Sequence, residues 1–192
     1  LFNYAIEKNN HEIVKLFLQK GANPAAIETA SGVNPMILSA RKSAQSGIIL
    51  FEQGLTPNFS NEQKSEFIVS LIKNITDNYS PNSTESTRQK SLALLKIAFE
   101  KSNFKGIKVT YFSTSVTPTA LALIRGSYSD KGDLHLDLIS HLLDSNFDYE
   151  TLNQADVALS GMQLSGPSTS SINLAAVAGN VSLVKYLASK GS

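Results

Sequence analysis

The chain of 192 residues contains no cysteine. It can therefore form neither a disulfide nor a thiolate metal site, and redox chemistry does not indicate its compartment. No apolar run approaches the ~18 residues that a membrane-spanning helix needs. The formal net charge is only +1, which gives no strongly basic face for nucleic acid. With 42% hydrophobic residues, the chain is long enough to form one large domain or a short array of repeats.

Two short helices separated by a break are predicted over residues 170–191, SSINLAAVAGNVSLVKYLASKG. Ser170 can cap the first helix, because its hydroxyl can accept a hydrogen bond from an early helix N–H. Gly179 and Gly191 stand where the two helices should end, since glycine adopts the left-handed conformation at low cost. Neither helix is long enough to be stable alone. The unit is therefore expected to stack on copies of itself.

The beginning of the chain carries the same unit, LFNYAIEKNNHEIVKLFLQKGANPAA. When residues 171–191 are laid over residues 1–21 without a gap, Ala5 falls on Ala175 and Val14 falls on Val184. Both stretches also end in Lys-Gly. The two ends of the chain are therefore predicted to be equivalent helix pairs.

Further copies of the helix-start signal occur at Asn34-Pro35 and Thr117-Pro118. Asn or Thr can cap the helix, and proline fits its first position, where no N–H donor is needed. Glycine 21 and glycine 54 close successive units at a spacing of about 33 residues. A helical stripe of apolar residues over 61–78, a polar loop over 81–87 and a second helix over 88–101 predict one enlarged unit.

This pattern resembles the ankyrin repeat, with its Thr-Pro start, paired helices and glycine break. The resemblance implies an all-α, ankyrin-type solenoid of stacked helix-turn-helix repeats with short hairpin loops, an enlarged third repeat and insertions in the fourth. The histidine that the family carries on its inner helix is replaced at each copy, by Asn3, Ile37, Ala120 and Asn173. The last unit also has Ser171 in place of proline.

About five units are expected within one repeat array that is a fragment of a longer protein. The predicted boundaries are 1–26, 27–60, 61–108, 109–152 and 167–192, with insertions over 126–133 and 153–166. Insertions in solenoids commonly map to loops on one face, which is often the binding face.

No constellation of residues predicts catalysis within this chain. His11 is expected at a helix start, and His135 and His141 are six residues apart, which is off the i, i+4 spacing that places two ligands on one helical face. Asp130, Asp133 and Asp137 near His135 are better explained as a solvated helix start, where acidic residues suit the helix dipole. Residues 126–132 lack the Gly-Lys-Ser/Thr ending of a phosphate loop. We therefore expect no catalytic residue, no metal site and no cofactor.

A binding surface is implied by the resemblance, since the exposed edge of the inner helices and the hairpin tips form the concave face of ankyrin proteins. Carried over position by position, the inner-helix candidates are Glu7, Lys8, Arg41, Lys42, Ile124, Arg125, Val177 and Ala178. The hairpin candidates are Ala30, Ser31, Val33, Ser113, Thr114 and Val116. Arg41, Lys42 and Arg125, with Tyr111, Phe112 and Tyr128 nearby, would suit an acidic protein partner. The alternative is that the charges only aid solubility and the aromatic residues fill a gap beside the enlarged third unit.

We therefore expect a protein–protein interaction scaffold. The irregular repeats and the composition rich in Asn, Ser and Lys also resemble ankyrin proteins that intracellular bacteria deliver into host cells, which implies an intracellular location or secretion into a host. One alternative is the substrate-recognition part of an enzyme whose catalytic domain lies outside this chain. Others are an activity in the insertions near His135 or His141, and a helical repeat of another family without hairpins. The sequence does not indicate the oligomeric state.

Overall fold

A computed structural model describes residues 1–55, 58–76, 85–102, 104, 107–111, 114–127, 136–138, 140, 142 and 170–191. Backbone contacts divide the chain into two compact units, Leu1–Lys105 (unit 1) and Gly106–Ser192 (unit 2). In the described part of the chain, regular structure is helical apart from one two-stranded sheet. The predicted all-α class is confirmed.

Unit 1 is built from consecutive helices joined by short connections. They are α1 (Phe2–Glu7), α2 (His11–Gln19), α3 (Pro24–Ser31), α4 (Pro35–Lys42), α5 (Ala44–Glu52), α6 (Asn61–Thr76) and α7 (Glu85–Lys101). The last two correspond to the helices predicted over 61–78 and 88–101, although α7 begins at Glu85, within the stretch predicted as a polar loop over 81–87.

The helices of unit 1 form two layers. In the inner layer α4 contacts both α1 and α6, and in the outer layer α5 contacts both α2 and α7. Each inner helix also contacts the outer helix paired with it, in the pairs α1–α2, α4–α5 and α6–α7. Helix pairs that stack on their neighbours are the arrangement of a repeat array, so unit 1 has the stacked architecture that the repeats predict.

Asparagine side chains begin several of these helices. The Asn10 Oδ1 accepts a hydrogen bond from the Ile13 N–H at 3.2 Å. The Asn34 Oδ1 accepts from the Met36 N–H at 2.9 Å and from the Ile37 N–H at 3.1 Å. Pro35 follows at the first helical position, so the cap predicted at Asn34-Pro35 is confirmed.

A capping box begins α6. The Ser60 Oγ accepts a hydrogen bond from the Gln63 N–H at 3.3 Å, and the Gln63 Oε1 accepts from the Ser60 N–H at 3.0 Å. The Ser60 hydroxyl also donates to the Glu62 Oε2 at 2.8 Å. Hydrogen bonds from the Glu62 backbone N–H, and then from Ser60, lower the pKa of the Glu62 carboxyl. Its contribution to stability is therefore present at neutral pH and is lost as the pH falls through this lowered pKa.

Replacing Ser60 with alanine should remove both side-chain hydrogen bonds of this serine. We expect Ser60→Ala to lower the free energy of unfolding by about 1 kcal/mol, the usual cost of losing an N-cap. Urea unfolding followed by circular dichroism would measure it. Ser60→Thr keeps the hydroxyl and should retain most of the stability. Equal losses in the two variants would contradict a role for the hydroxyl.

The core of unit 1 lies between the two layers and is closed by four phenylalanines, Phe59, Phe67, Phe99 and Phe104. The Phe67 ring stacks on Phe104 with centroids 5.9 Å apart, and it lies 5.4 Å from Phe59. Phe104 also stacks on Phe99 at 5.4 Å. This aromatic cluster joins α6 and α7 to the segments that flank them.

Gly47 allows α5 to approach its neighbours closely. A Cβ atom at this position would lie 2.5 Å from the Leu94 Cδ2 and 2.6 Å from the Ser39 Oγ. Both distances are shorter than a carbon atom can tolerate, so a side chain here would displace the side chains of Leu94 and Ser39. Glycine at this point of the second repeat therefore lets α5 pack directly on the side chains of Leu94 and Ser39.

Unit 2 begins with a hairpin of two antiparallel strands, β1 (Val109–Tyr111) and β2 (Thr114–Val116). Val109 pairs with Val116, and both side chains are buried on one face of the hairpin. The helix α8 (Pro118–Ser127) follows and contacts β1. The Thr117 Oγ1 accepts a hydrogen bond from the Ala120 N–H at 3.1 Å, so the predicted hairpin and Thr-Pro helix start are both confirmed.

The end of unit 2 contains α9 (Ser171–Val177), which packs against α8, and α10 (Val181–Ser189), which packs against α9. The Ser170 Oγ accepts from the Asn173 N–H at 3.4 Å. Gly179 has φ 73° and Gly191 has φ 89°. The cap and the two glycine-terminated helices predicted over 170–191 are therefore confirmed. The insertion over 153–166 lies outside the described residues.

The hairpin predicted at Ala30, Ser31 and Val33 is wrong. The chain forms α3 there, capped by Asn23 and ended by Gly32 at φ 67°. The physical reason is that Asn23-Pro24 begins a helix in the same way as Asn34-Pro35, and the alanines that follow favour a helix. All three predicted hairpin residues are nevertheless exposed.

Candidate functional site

Hydrogen bonds between polar side chains connect α3 to the N-terminal ends of α1, α4 and α6. The Asn3 Nδ2 of α1 donates to the Ser31 Oγ of α3 at 3.1 Å. Glu28 of α3 accepts from the Asn34 Nδ2 at 3.0 Å and from the Gln63 Nε2 of α6 at 3.3 Å. We call these five residues the α3 bridge. It fixes α3 in the place where the sequence predicted a hairpin tip.

At the other ends of α1 and α4 lies a group of charged residues that we call the charged rim. It consists of Glu7, Lys8, Arg41 and Lys42, all four of which are exposed. The two basic residues of α4 lie in its last turn, where positive charge interacts favourably with the helix dipole. Because α1 contacts α4, the charged rim extends over two adjacent repeats.

Hydrogen bonds from α6 fix the orientation of this region. The Asn74 Nδ2 donates to the Ala40 carbonyl oxygen at 2.7 Å, which satisfies one of the last carbonyls of α4. Gln63, at the start of α6, is linked through Glu28 to Asn34, at the start of α4. The contacts therefore occur in the same order along both helices, which run in the same direction.

Arg41 is not an isolated cation, because it forms an ion pair with Glu66 of α6. The side chains are 51% and 39% exposed, so solvent screens the pair and its contribution to stability is small. Glu66 was not among the sequence candidates. Its pairing with Arg41 depends on a contact between α4 and α6, and the two residues are 25 positions apart in the chain. A single sequence contains no local signal for such a contact.

The remaining sequence candidates fall in unit 2, and there two expectations are wrong, because the hairpin candidate Val116 and the inner-helix candidate Ile124 are both fully buried. Ile124 was expected to be exposed, but it is fully buried in α8 together with Leu121, Ala122 and Leu123. Arg125, in the last turn of α8, is half-buried. Ile124 is buried because α8 is covered by both β1 and α9. It belongs to the core of unit 2.

The aromatic candidates are placed only in part. Tyr111 is the last residue of β1, although its side chain lies outside the described residues. Phe112 and Tyr128 also lie outside them. Ser113 does too, whereas Val177 is 79% exposed at the end of α9. The binding role of Tyr111, Phe112 and Tyr128 stays a prediction.

Within the described residues, no group of three His, Asp or Glu side chains could hold a metal ion. His11 lies in the first turn of α2, with its Nε2 3.6 Å from a Glu12 carboxylate oxygen, as expected of a polar helix start. Asp137 is exposed, and Asp130, Asp133, His135 and His141 lie outside the described part. In that described part, no helix has both the length and the apolar character to cross a membrane.

Helix pairs stacked in two layers define the class of unit 1, that of the helical repeat proteins. The family model of the ankyrin repeat matches residues 1–28, which contain α1, α2 and the first part of α3. The ankyrin-type repeat predicted at the beginning of the chain is therefore confirmed for these residues. Repeats of this family are non-catalytic and generally act as protein–protein interaction modules. No curated protein and no solved structure matches the chain.

Proposed function

We propose that the charged rim of unit 1 is a docking surface for a protein partner, on the concave side expected of the array. The observation that carries this proposal is the exposure of Glu7, Lys8, Arg41 and Lys42 at the ends of two adjacent inner helices. Complementary charge across such a surface gives specificity and a fast association rate. Binding by surface complementarity requires no reaction, so this chain acts as a scaffold.

The partner that fits this surface is acidic. Lys42 is exposed and can offer its ammonium group to a carboxylate, while Arg41 is shared with Glu66. A partner carboxylate must therefore compete with Glu66 for the guanidinium group. Arg can bind a carboxylate through two parallel hydrogen bonds, so releasing it from Glu66 should strengthen the complex.

Competition between Glu66 and the partner for Arg41 predicts that variants on the two sides of this ion pair change the binding affinity in opposite directions. The partner recovered by the unmodified chain from a cell lysate would be identified by mass spectrometry, purified and titrated by calorimetry. We expect the Arg41→Ala and Lys42→Ala double variant to bind at least 10-fold more weakly, which is about 1.4 kcal/mol. Glu66→Gln removes the competing charge and should tighten binding.

The matched control removes two exposed lysines from the outer layer, Lys15→Ala and Lys20→Ala. It changes the net charge equally and should alter affinity less than 2-fold, the size of an effect that depends on net charge alone. Equal affinities for the rim variant and the control would refute the charged rim as the docking surface.

The composition of the chain supports a proposal about the kind of cell in which the partner occurs. We infer a host-cell protein, because the irregular repeats and the Asn-, Ser- and Lys-rich sequence resemble ankyrin proteins that bacteria deliver into host cells. Lysates of a host cell and of a bacterium would be compared in the same recovery experiment. The alternative is that the chain is the substrate-recognition part of a longer enzyme. Recovery of a protein on which an attached catalytic domain acts would favour that alternative instead.

A further inference from the structure

Three apolar side chains of the first helix pair are exposed to solvent. Tyr4 of α1 is 58% exposed, and Ile13 and Leu16 of α2 are 43% and 52% exposed. We call these residues the uncovered face. Most large apolar side chains of unit 1 are buried, so three exposed ones on one helix pair need an explanation.

In the second repeat, the positions equivalent to the uncovered face are buried. Aligning Asn3 with Ile37 places Tyr4 on Leu38, and aligning the caps Asn10 and Ser43 places Ile13 on Ser46 and Leu16 on Ile49. The equivalent residues Leu38, Ser46 and Ile49 are all buried.

The two repeats differ in their neighbours. The pair α4–α5 has a helix pair on each side, α1–α2 before it and α6–α7 after it. Within the described residues, α1–α2 contacts a helix pair only on the side of α4–α5. The side chains that are buried in one repeat and exposed in the other therefore mark the side on which a neighbour is missing.

In the last repeat, too, the positions equivalent to the uncovered face are at least half-buried. There the equivalents of Tyr4, Ile13 and Leu16 are Leu174, Leu183 and Tyr186. Leu183 is fully buried, and Leu174 and Tyr186 are half-buried. That helix pair has α8 before it. A terminal repeat that caps an array carries a polar outer face instead, so the uncovered face does not have the chemistry of a cap.

We propose that a further helix pair of the ankyrin type, encoded upstream of Leu1 in the same polypeptide, stacks on the uncovered face. A second copy of the chain fits less well. Three partly exposed side chains offer a few hundred Å² at most, whereas a stable interface between separate chains buries about 800 Å² on each partner. A tethered helix pair needs less area, because the linker gives it a high effective concentration.

The test extends the chain by the ~34 residues, one repeat, that its natural gene encodes before Leu1. Hydrogen exchange of the α1 and α2 amides would be compared in the chain as given, in the natural extension and in an extension of the same length made of Gly and Ser. We expect the natural extension to slow this exchange at least 10-fold and the Gly-Ser extension to leave it unchanged.

The double variant Ile13→Lys and Leu16→Lys keeps the test specific to the face. It should lower the urea midpoint of the naturally extended chain, where the face is covered, and leave that of the chain as given almost unchanged. The proposal is overturned if the α1 and α2 amides of the naturally extended chain remain unprotected. It is also overturned if the gene does not encode a repeat before Leu1. A dimer of the chain as given that the double variant dissociates also overturns it, because the occupant would then be a second copy.

Discussion

Replacing Phe67 with alanine is expected to lower the free energy of unfolding of unit 1 by about 3–5 kcal/mol, the range for a buried phenylalanine. Phe67 is fully buried in α6. Its ring contacts Phe59 and Phe104 at once, so truncation removes apolar burial, leaves a cavity and ends two aromatic contacts worth about 0.5–1.5 kcal/mol each. A loss of this size is a large part of the 5–15 kcal/mol that stabilises an ordinary domain.

Urea unfolding followed by circular dichroism would measure this effect, with hydrogen exchange of α6 and α7 locating it in unit 1. Phe67→Leu keeps most of the volume and should cost clearly less. Tyr4→Ala, which truncates an exposed ring, should change the free energy of unfolding by less than about 1 kcal/mol. A loss below 1 kcal/mol for Phe67→Ala would show that the aromatic cluster does not form as described.

Leu183→Ala is expected to cost about 2–5 kcal/mol in unit 2, because Leu183 is fully buried in α10. Ile13 occupies the equivalent position of the first repeat but is 43% exposed. Ile13→Ala should therefore cost less than about 1 kcal/mol in the chain as given. Since both residues lose similar side-chain volume at equivalent positions, the difference reports only how each position is covered.

The two variants would be compared by urea unfolding, with hydrogen exchange of α2 and α10 to assign each loss to its own unit. Equal losses would mean that Ile13 is covered in solution, which contradicts the exposure on which the uncovered face depends. A small loss for Leu183→Ala would instead contradict the packing of α10 on α9.

Most helix starts in this chain can be predicted from sequence because the interactions are local. Asn34, Thr117 and Ser170 each accept a hydrogen bond from an N–H two or three residues further on. The glycines that end the last two helices also act through their own backbone conformation. The equivalence of the chain ends follows from the same local signals.

The candidate site could be predicted only in part, because its geometry depends on distant contacts. Glu28 links α3 to α4 and α6, and this linkage has no local pattern. Arg41 could be identified as an exposed residue of an inner helix, yet its pairing with Glu66 becomes known only from the fold. The repeat boundaries at 26, 60, 108 and 152 stay a proposal.

Side chains of inner helices are difficult to assign to the core or the surface from a single sequence. Ile124 and Arg41 occupy similar places near the ends of α8 and α4. Ile124 is buried because β1 and α9 both cover α8, whereas Arg41 remains half-exposed. The outcome depends on what packs against each helix, which residue spacing does not specify.

The central claim is that α1, α4 and α6 lie side by side in one layer while α2, α5 and α7 form the other. Because the chain contains no cysteine, an introduced pair can be cross-linked without interference. A short bis-maleimide should join Arg41→Cys to Glu66→Cys within one molecule, since these positions form an ion pair between α4 and α6. The control pair, Lys15→Cys on α2 with Glu66→Cys, should cross-link poorly. Equal yields from the two pairs would contradict the layered arrangement.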